Sequence, residues 1–255
     1  TYKPVFGSFY RGLYRWVVTR NLDLVTVSEF SRARLSQALG VDSDRWTIIK
    51  SGIDHILEPE PDFSVVEGFG LVKEGYVLTV GALSGHKNMA ALKLLARGLA
   101  EQGHELVAVG DMAPAVYAGA DLGEGLKYVG RLGDDGLRAL MENARCFVFP
   151  SQYEGFGLPP LEAMALGCPV ATSDIAPLRE ACGEACIFFD PDDPEDIAER
   201  VLALSNDEAQ RLHLGNAGRE VTRNLTWDRS AQKWLDLLFV ASKSSRVLWS
   251  NSHST

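Results

Sequence analysis

The sequence predicts an α/β fold, a doubly wound parallel sheet of Rossmann-like type, joined to an incomplete second domain. Three observations carry this. From Tyr76 onward, short β-rich runs alternate with helical patterns. The runs are apolar throughout instead of at every second residue, which marks strands covered on both faces. The first fifty residues, by contrast, hold too few strands to close a core of their own.

The strand candidates are 76–80 (YVLTV), 105–110 (ELVAVG), 126–130 (LKYVG), 146–150 (CFVFP), 169–173 (PVATS) and 186–190 (CIFFD). Between them, residues 88–101, 134–143 and 159–166 space apolar side chains by three and four, the helical period. Ligands of such sheets bind at the carboxyl ends of the strands. That rule selects 81–88, 110–111, 130–132 and 150–157. Residues 1–50 read as helix 9–19, strand 24–27, helix 29–39 and strand 46–50. They are expected to be the tail of a domain whose larger part lies outside this sequence. Residues 51–70 form a linker, 71–225 the main domain, and 226–255 a closing helix with a Ser-rich tail that frays from Ser242. Helices are also expected at 194–204, 207–222 and 227–242.

Composition excludes several classes. Hydrophobic content of 46% and charged content of 23% over 255 residues describe a globular protein. A net charge of −9 argues against a nucleic-acid surface built from bulk positive charge. No run of about 18 apolar residues is present, so no membrane-spanning helix is expected. Cys146, Cys168, Cys182 and Cys186 have no neighbouring His to complete a zinc set. Buried, unpaired thiols suit a reducing cytoplasm.

The strongest chemical signal is 150–167, PSQYEGFGLPPLEAMALG. Pro159 and Pro160 suit a first helical turn, which has no use for their missing N–H groups, so a helix starts near Leu158. Gly155, Phe156 and Gly157 form a bare-backbone turn in front of it, a place where anions bind. Glu162 lies one turn inside, and its carboxylate can accept the two vicinal hydroxyls of a ribose. Glu154, outside the helix, can accept hydroxyls from a sugar. Read without a ligand, the same string is a glycine loop before an amphipathic helix.

The eighteen residues closely resemble the E-x7-E signature of family-four retaining glycosyltransferases of GT-B fold. Other segments are similar to that family in order: 27–41 to the end of its N-terminal domain, 48–54 (IIKSGID) to its entry into the interdomain linker, 80–88 (VGALSGHKN) to its phosphate loop, 128–132 (YVGRL) to its base-side loop, 188–201 to a late helix and 225–238 to the helix that crosses back. The resemblance implies a nucleotide-diphosphate-sugar donor such as GDP-mannose or a UDP-sugar, a glycan or lipid-linked acceptor, and no metal or other cofactor. It places Gly81, His86, Lys87, Asn88, Arg131, Ser151, Gly155, Phe156, Gly157, Leu158 and Glu162 on the donor, with Glu154 and Lys87 catalytic. One departure stands out. Many members carry Arg where this chain has Ala82, so His86 or Arg131 is left to supply a second cation.

Local patterns weigh these assignments. Lys87 follows a strand end and a loop holding Gly81 and Gly85 and is expected to open the next helix, where a cation meets a diphosphate, and Asn88 is placed to cap that helix. Tyr153 and Glu180 either line the pocket or belong to its surroundings. Asp42-Ser43-Asp44 and Asp190-Pro191-Asp192 sit in turn and cap contexts and not in a metal-binding pattern. Arg11, Arg15 and Arg20, interleaved with aromatics, fit a peripheral contact with the inner membrane face or a packed helix of the second domain. A binding-only fragment and another GT-B enzyme, such as a sugar-nucleotide epimerase, are the alternative readings. A dinucleotide oxidoreductase is not, because no strand is followed by G-x-G-x-x-G.

Overall fold

The structure, a computed structural model, describes residues 4–20, 22–81, 85–110 and 125–251. The expectations placed on Ala82 and Asp111 lie outside them. The chain divides into two compact units, Ile53–Asn224 and Thr1–Gly52 with Leu225–Thr255.

The smaller unit contains α1 (Pro4–Val18), β1 (Leu24–Thr26), α2 (Glu29–Leu39) and β2 (Trp46–Ile48), and also the last helix of the chain. β1 and β2 pair in parallel through Leu24–Trp46 and Thr26–Ile48. Ser28 starts α2 by accepting a hydrogen bond from the Ser31 N–H, and Gly40 ends it in the left-handed conformation at φ 66°. The last helix, Trp227–Asn251, begins where its backbone presses on Gly52, a site with no space for a Cβ. Ser230 Oγ then donates to the Lys50 carbonyl at 2.5 Å, fixing the helix to the end of β2. This helix was expected to stop at 242. Its backbone continues to Asn251, because Ala, Ser and Lys after Val240 include no helix breaker.

The larger unit is the parallel α/β layer. Its strands are β3 (Tyr76–Val80), β4 (Glu105–Val109), β5 (Leu126–Tyr128), β6 (Cys146–Phe149), β7 (Val170–Ser173) and β8 (Ile187–Phe189). They run in the order β5-β4-β3-β6-β7-β8, and each neighbouring pair is parallel. Each strand sits within two residues of its expected position. The strand order reverses between β3 and β6, so the loops leaving these two neighbours depart to opposite sides and open a crevice.

Helices α3 (Ser64–Gly68), α4 (Lys93–Glu101), α5 (Asp134–Asn143), α6 (Leu158–Leu166), α7 (Ala176–Cys182), α8 (Pro194–Asn206) and α9 (Glu208–Thr222) cover the sheet. Val77, Leu106 and Val148 of the sheet pack with Leu95 and Leu99 of α4 and with Val201 and Leu204 of α8, all fully buried. α8 starts on Pro194 after the Asp193 carboxylate accepts the Glu195 and Asp196 N–H groups. All four cysteines are free and buried, and burial pushes the Cys146 thiol up to about 12. They pack as small apolar side chains. Residues 53–70, expected as a linker, pack into this unit. Val66 is buried, and Arg138 Nη1 donates to the carbonyls of Leu57 and Pro59 at 2.6 and 2.8 Å.

α9 lies directly on the end of α6. A Cβ on Gly215 would stand 2.5 Å from the carbonyl oxygen of Gly167, which caps α6 in the left-handed conformation at φ 78°. Helix propensity alone favours Ala over Gly by about 1 kcal/mol. Gly215→Ala is nevertheless expected to lower stability by about 1–3 kcal/mol, as overpacking does, measured by denaturant unfolding. A stabilised variant would show that the two helices separate freely.

Candidate functional site

Two loops leave the sheet at the switch point and converge. After β3, residues 85–87 make one tight turn of 3-10 helix, and Met89–Leu92 make a second before α4 begins at Lys93. Lys87 therefore closes a turn and does not open the helix. Asn88 corrects the sequence reading in a similar way. It adopts the left-handed conformation at φ 56° and makes no cap, while its Nδ2 donates to the Pro191 carbonyl at 2.7 Å. The loop after β6 carries Ser151 to Gly157. Its Gln152 N–H donates to the His86 carbonyl at 2.8 Å, and the buried Ser151 hydroxyl reaches the carbonyls of His86 (3.2 Å) and Tyr153 (3.3 Å). Gln152 Nε2 also donates to Asp192 Oδ1 at 2.6 Å. Three loops, after β3, β6 and β8, are thus joined by hydrogen bonds.

These ties set one charged pair. Lys87 Nζ stands 2.6 Å from Glu154 Oε1, and the same ammonium lies 5.0 Å from the centre of the Phe149 ring. The two side chains are 20% and 15% exposed, so water screens the pair only in part. His86 is exposed on the loop that carries Lys87, and Arg131 is exposed beyond the carboxyl end of β5. The structure thus brings Gly81, His86, Lys87, Ser151 and Glu154 together.

Gly157 makes the corner into α6. It holds φ 97°, and a Cβ there would collide with the buried Leu178 of α7. Both facts restrict the position to glycine. Phe156 is buried beside it, and Leu158 is half-buried. Because Pro159 and Pro160 carry no N–H, the helix start draws its donors from residues 155–158 alone. Gly81 and Gly85 are different. A Cβ on Gly81 would meet Lys87 Cγ at an ordinary 3.6 Å, and one on Gly85 would meet nothing within 4 Å. Among the described residues, packing leaves room for a Cβ at both glycines.

Glu162 lies one turn into α6, 9% exposed. Its Oε1 is 3.2 Å from Nε2 of His55, on the 3-10 turn Asp54–Leu57. Burial raises the Glu162 carboxyl above its ordinary value, the His55 imidazole draws it back, and the Asp134 charge raises it further. His55 carries no signal in the sequence. It falls 107 positions before Glu162, and no local pattern marks it. Tyr153 is exposed and does not pack beneath the loop, and Glu180 is half-buried on α7.

Both Asp-x-Asp strings act in turns. Asp42 Oδ1 accepts the Asp44 N–H at 3.1 Å, and Asp190 Oδ1 accepts the Asp192 N–H at 2.9 Å. Among the described residues, no group of three or more His, Cys, Asp or Glu side chains is placed to share a metal ion. No helix among them is long and apolar enough to cross a membrane.

A six-stranded parallel sheet with a charged crevice at its switch point is the architecture of the GT-B glycosyltransferases. Sucrose-phosphate synthase from Thermosynechococcus elongatus superposes on 87% of this chain, and on 59% of its own, with a TM-score of 0.72 at 25% identity. Anabaena HepE in complex with UDP and glucose superposes on 90% of this chain and 67% of its own, with a TM-score of 0.76 at 18% identity. Residues 66–221 match the family described as glycosyl transferases group 1, and the chain belongs to that family. It is 31% identical over 225 residues to O-antigen chain mannosyltransferase B of Escherichia coli, an alignment that covers 80% of this chain and 57% of the relative. The chain thus spans little more than half the length of that relative.

The Lys87–Glu154 pair gives a direct expectation for the ligand-free protein. Charged hydrogen bonds contribute about 1.5–3 kcal/mol. In a double-mutant cycle of Lys87→Met and Glu154→Gln, the unfolding free energies should be non-additive by about 1–2 kcal/mol. Strict additivity would mean that the two side chains do not meet in solution.

Proposed function

We propose that this chain carries the donor-binding part of a family-four retaining hexosyltransferase with the E-x7-E signature. It takes a nucleoside-diphosphate sugar, of GDP-mannose or UDP-sugar type, and serves a glycan or lipid-linked hydroxyl acceptor. The observation that carries this reading is the meeting of Lys87 and Glu154 at the switch point, on the loop that leads into the helix bearing Glu162. The mannosyltransferase relative supports mannose as the sugar.

Each residue then has a chemical task. The diphosphate is an anion with a stronger claim on Lys87 Nζ than a single carboxylate has, and its arrival releases Glu154 to accept sugar hydroxyls. When the bond from the anomeric carbon to the phosphate oxygen breaks, negative charge grows on the leaving nucleoside diphosphate. Lys87 and the N–H groups of residues 155–158 stand on that side and stabilise the charge. Removing one such preorganised donor typically costs about 3–4 kcal/mol at the transition state. The acceptor oxygen bonds to the same face of the anomeric carbon and passes its proton to the departing diphosphate oxygen, where the negative charge grows. Glu162 accepts the two ribose hydroxyls. No divalent ion is required in this scheme, since Lys87 and the helix start supply the positive field. Residues 1–50 and the last helix belong, in this reading, to the acceptor-binding domain. The protein works at the cytoplasmic side, where its N-terminal aromatic and basic residues suit a peripheral membrane contact.

Calorimetry with GDP, UDP and their sugars tests the reading. The wild-type chain should bind one of them, and Glu162→Gln should weaken that binding by about 10- to 100-fold. Equal affinity in the variant would remove Glu162 from the site. Excess chelator should leave donor binding unchanged. A loss of binding restored by magnesium or manganese would place a metal where this scheme has none.

A further inference from the structure

His55 has no part in the scheme above, yet it is the side chain that touches the proposed ribose carboxylate. Its Nε2 stands 3.2 Å from Glu162 Oε1, and its ring is 34% exposed. The histidine is held at this place by its own turn. Arg138 of α5 donates to the carbonyls of Leu57 and Pro59 two and four residues on, and Ile56 beside it is buried. The surroundings are acidic. Asp54 and Glu58 flank His55 on its turn, and Asp134 and Asp135 face it from α5 across an open groove. Arg138 is the basic group on that face, and its Nε is already joined to Glu142 Oε1 at 2.8 Å.

A ribose-binding carboxylate must be ionised, so that both oxygens accept hydroxyl protons. Glu162 is buried, near Asp134, and lies in a place that favours the neutral acid. Something must offset that. The geometry points to His55 as a positioning residue that holds the Glu162 carboxylate through Nε2–H, keeps it charged, and so extends nucleotide binding to lower pH. This rests on the proposed role of Glu162 in the donor site. With Oε1 held, the carboxylate plane is fixed by the fold before the ligand arrives. The second oxygen and the remaining lone pair of Oε1 are then directed at the diol. Without His55 the carboxylate would protonate at a higher pH, and affinity would fall from that pH downward.

The test is calorimetry of GDP and UDP between pH 5.5 and 8.5 on the full chain, with His55→Ala, His55→Gln, Glu162→Gln and the double variant His55→Ala/Glu162→Gln. In the variant His55→Ala, affinity should drop by about 10-fold near pH 7, and its decline on the acid side should begin at a higher pH than in wild type. The amide of His55→Gln donates at similar reach but never ionises. It should restore affinity at pH 8 and leave the acid-side loss in place. In the double variant, the loss should not exceed that of Glu162→Gln alone. A second readout needs no ligand. The carbon-13 carboxyl titration of Glu162 should move upward in His55→Ala and in His55→Gln, and the latter suffices should the alanine variant not fold. Profiles for both His55 variants that superimpose on wild type, beside a weakened Glu162→Gln, would overturn this inference and leave the donor site standing. Full affinity in Glu162→Gln would instead remove the ribose role itself, and this inference with it.

Discussion

The carbonyl oxygen of His86 holds the site together. It accepts the Gln152 N–H and lies within reach of the Ser151 hydroxyl, so one backbone atom joins the loop after β3 to the loop after β6. Parallel neighbours at a switch point send their loops to opposite sides, and without such a tie Lys87 and Glu154 would face water separately. Asn88 on Pro191 and Gln152 on Asp192 extend the same network to the loop after β8. Hydrogen bonds of this kind contribute about 1 kcal/mol each to stability. Their larger effect here is geometric, because they decide which charges meet.

α6 transmits that geometry to the other half of the site. Its nine residues begin at the Gly157 corner and end under α9, where the Gly167 cap meets Gly215 backbone to backbone. Arg219 reinforces this end by donating to the Leu166 carbonyl at 2.9 Å. A helix gripped at both ends cannot rotate to spare a side chain an unfavourable place. Glu162 is therefore buried whether or not burial suits a carboxylate, and the neighbouring His55 answers the electrostatic cost.

Much of this was legible in the sequence. The six strands were, because a sheet covered on both faces needs unbroken apolar runs such as Tyr76–Val80 and Cys146–Phe149. α5 begins at Asp134 and ends at Asn143, as its apolar spacing indicates. The start of α6 followed from two prolines that only a first turn accepts. What was not legible is as physical. Met89, Leu92 and Leu95 continue the spacing of three that both a 3-10 turn and an α-helix share, so the true start at Lys93 left no mark. The left-handed Asn88 and the pairing of His55 with Glu162 depend on partners about a hundred residues away. Residues 53–70 have a linker's composition but pack as domain, since Arg138 satisfies their carbonyls from outside the segment.

The glycines around the crevice fall into two kinds, and this difference sets how the site can be rebuilt. Gly157 is fixed by its backbone angle and by Leu178 behind it. Any other residue at that corner would strain the backbone and displace the Leu178 side chain. Among the described residues a Cβ on Gly81 would meet only ordinary contacts and one on Gly85 open space, so packing leaves room for a methyl group at both. Alanine at Gly81 or Gly85 is therefore a change the described scaffold accommodates, while the corner before α6 is closed to revision.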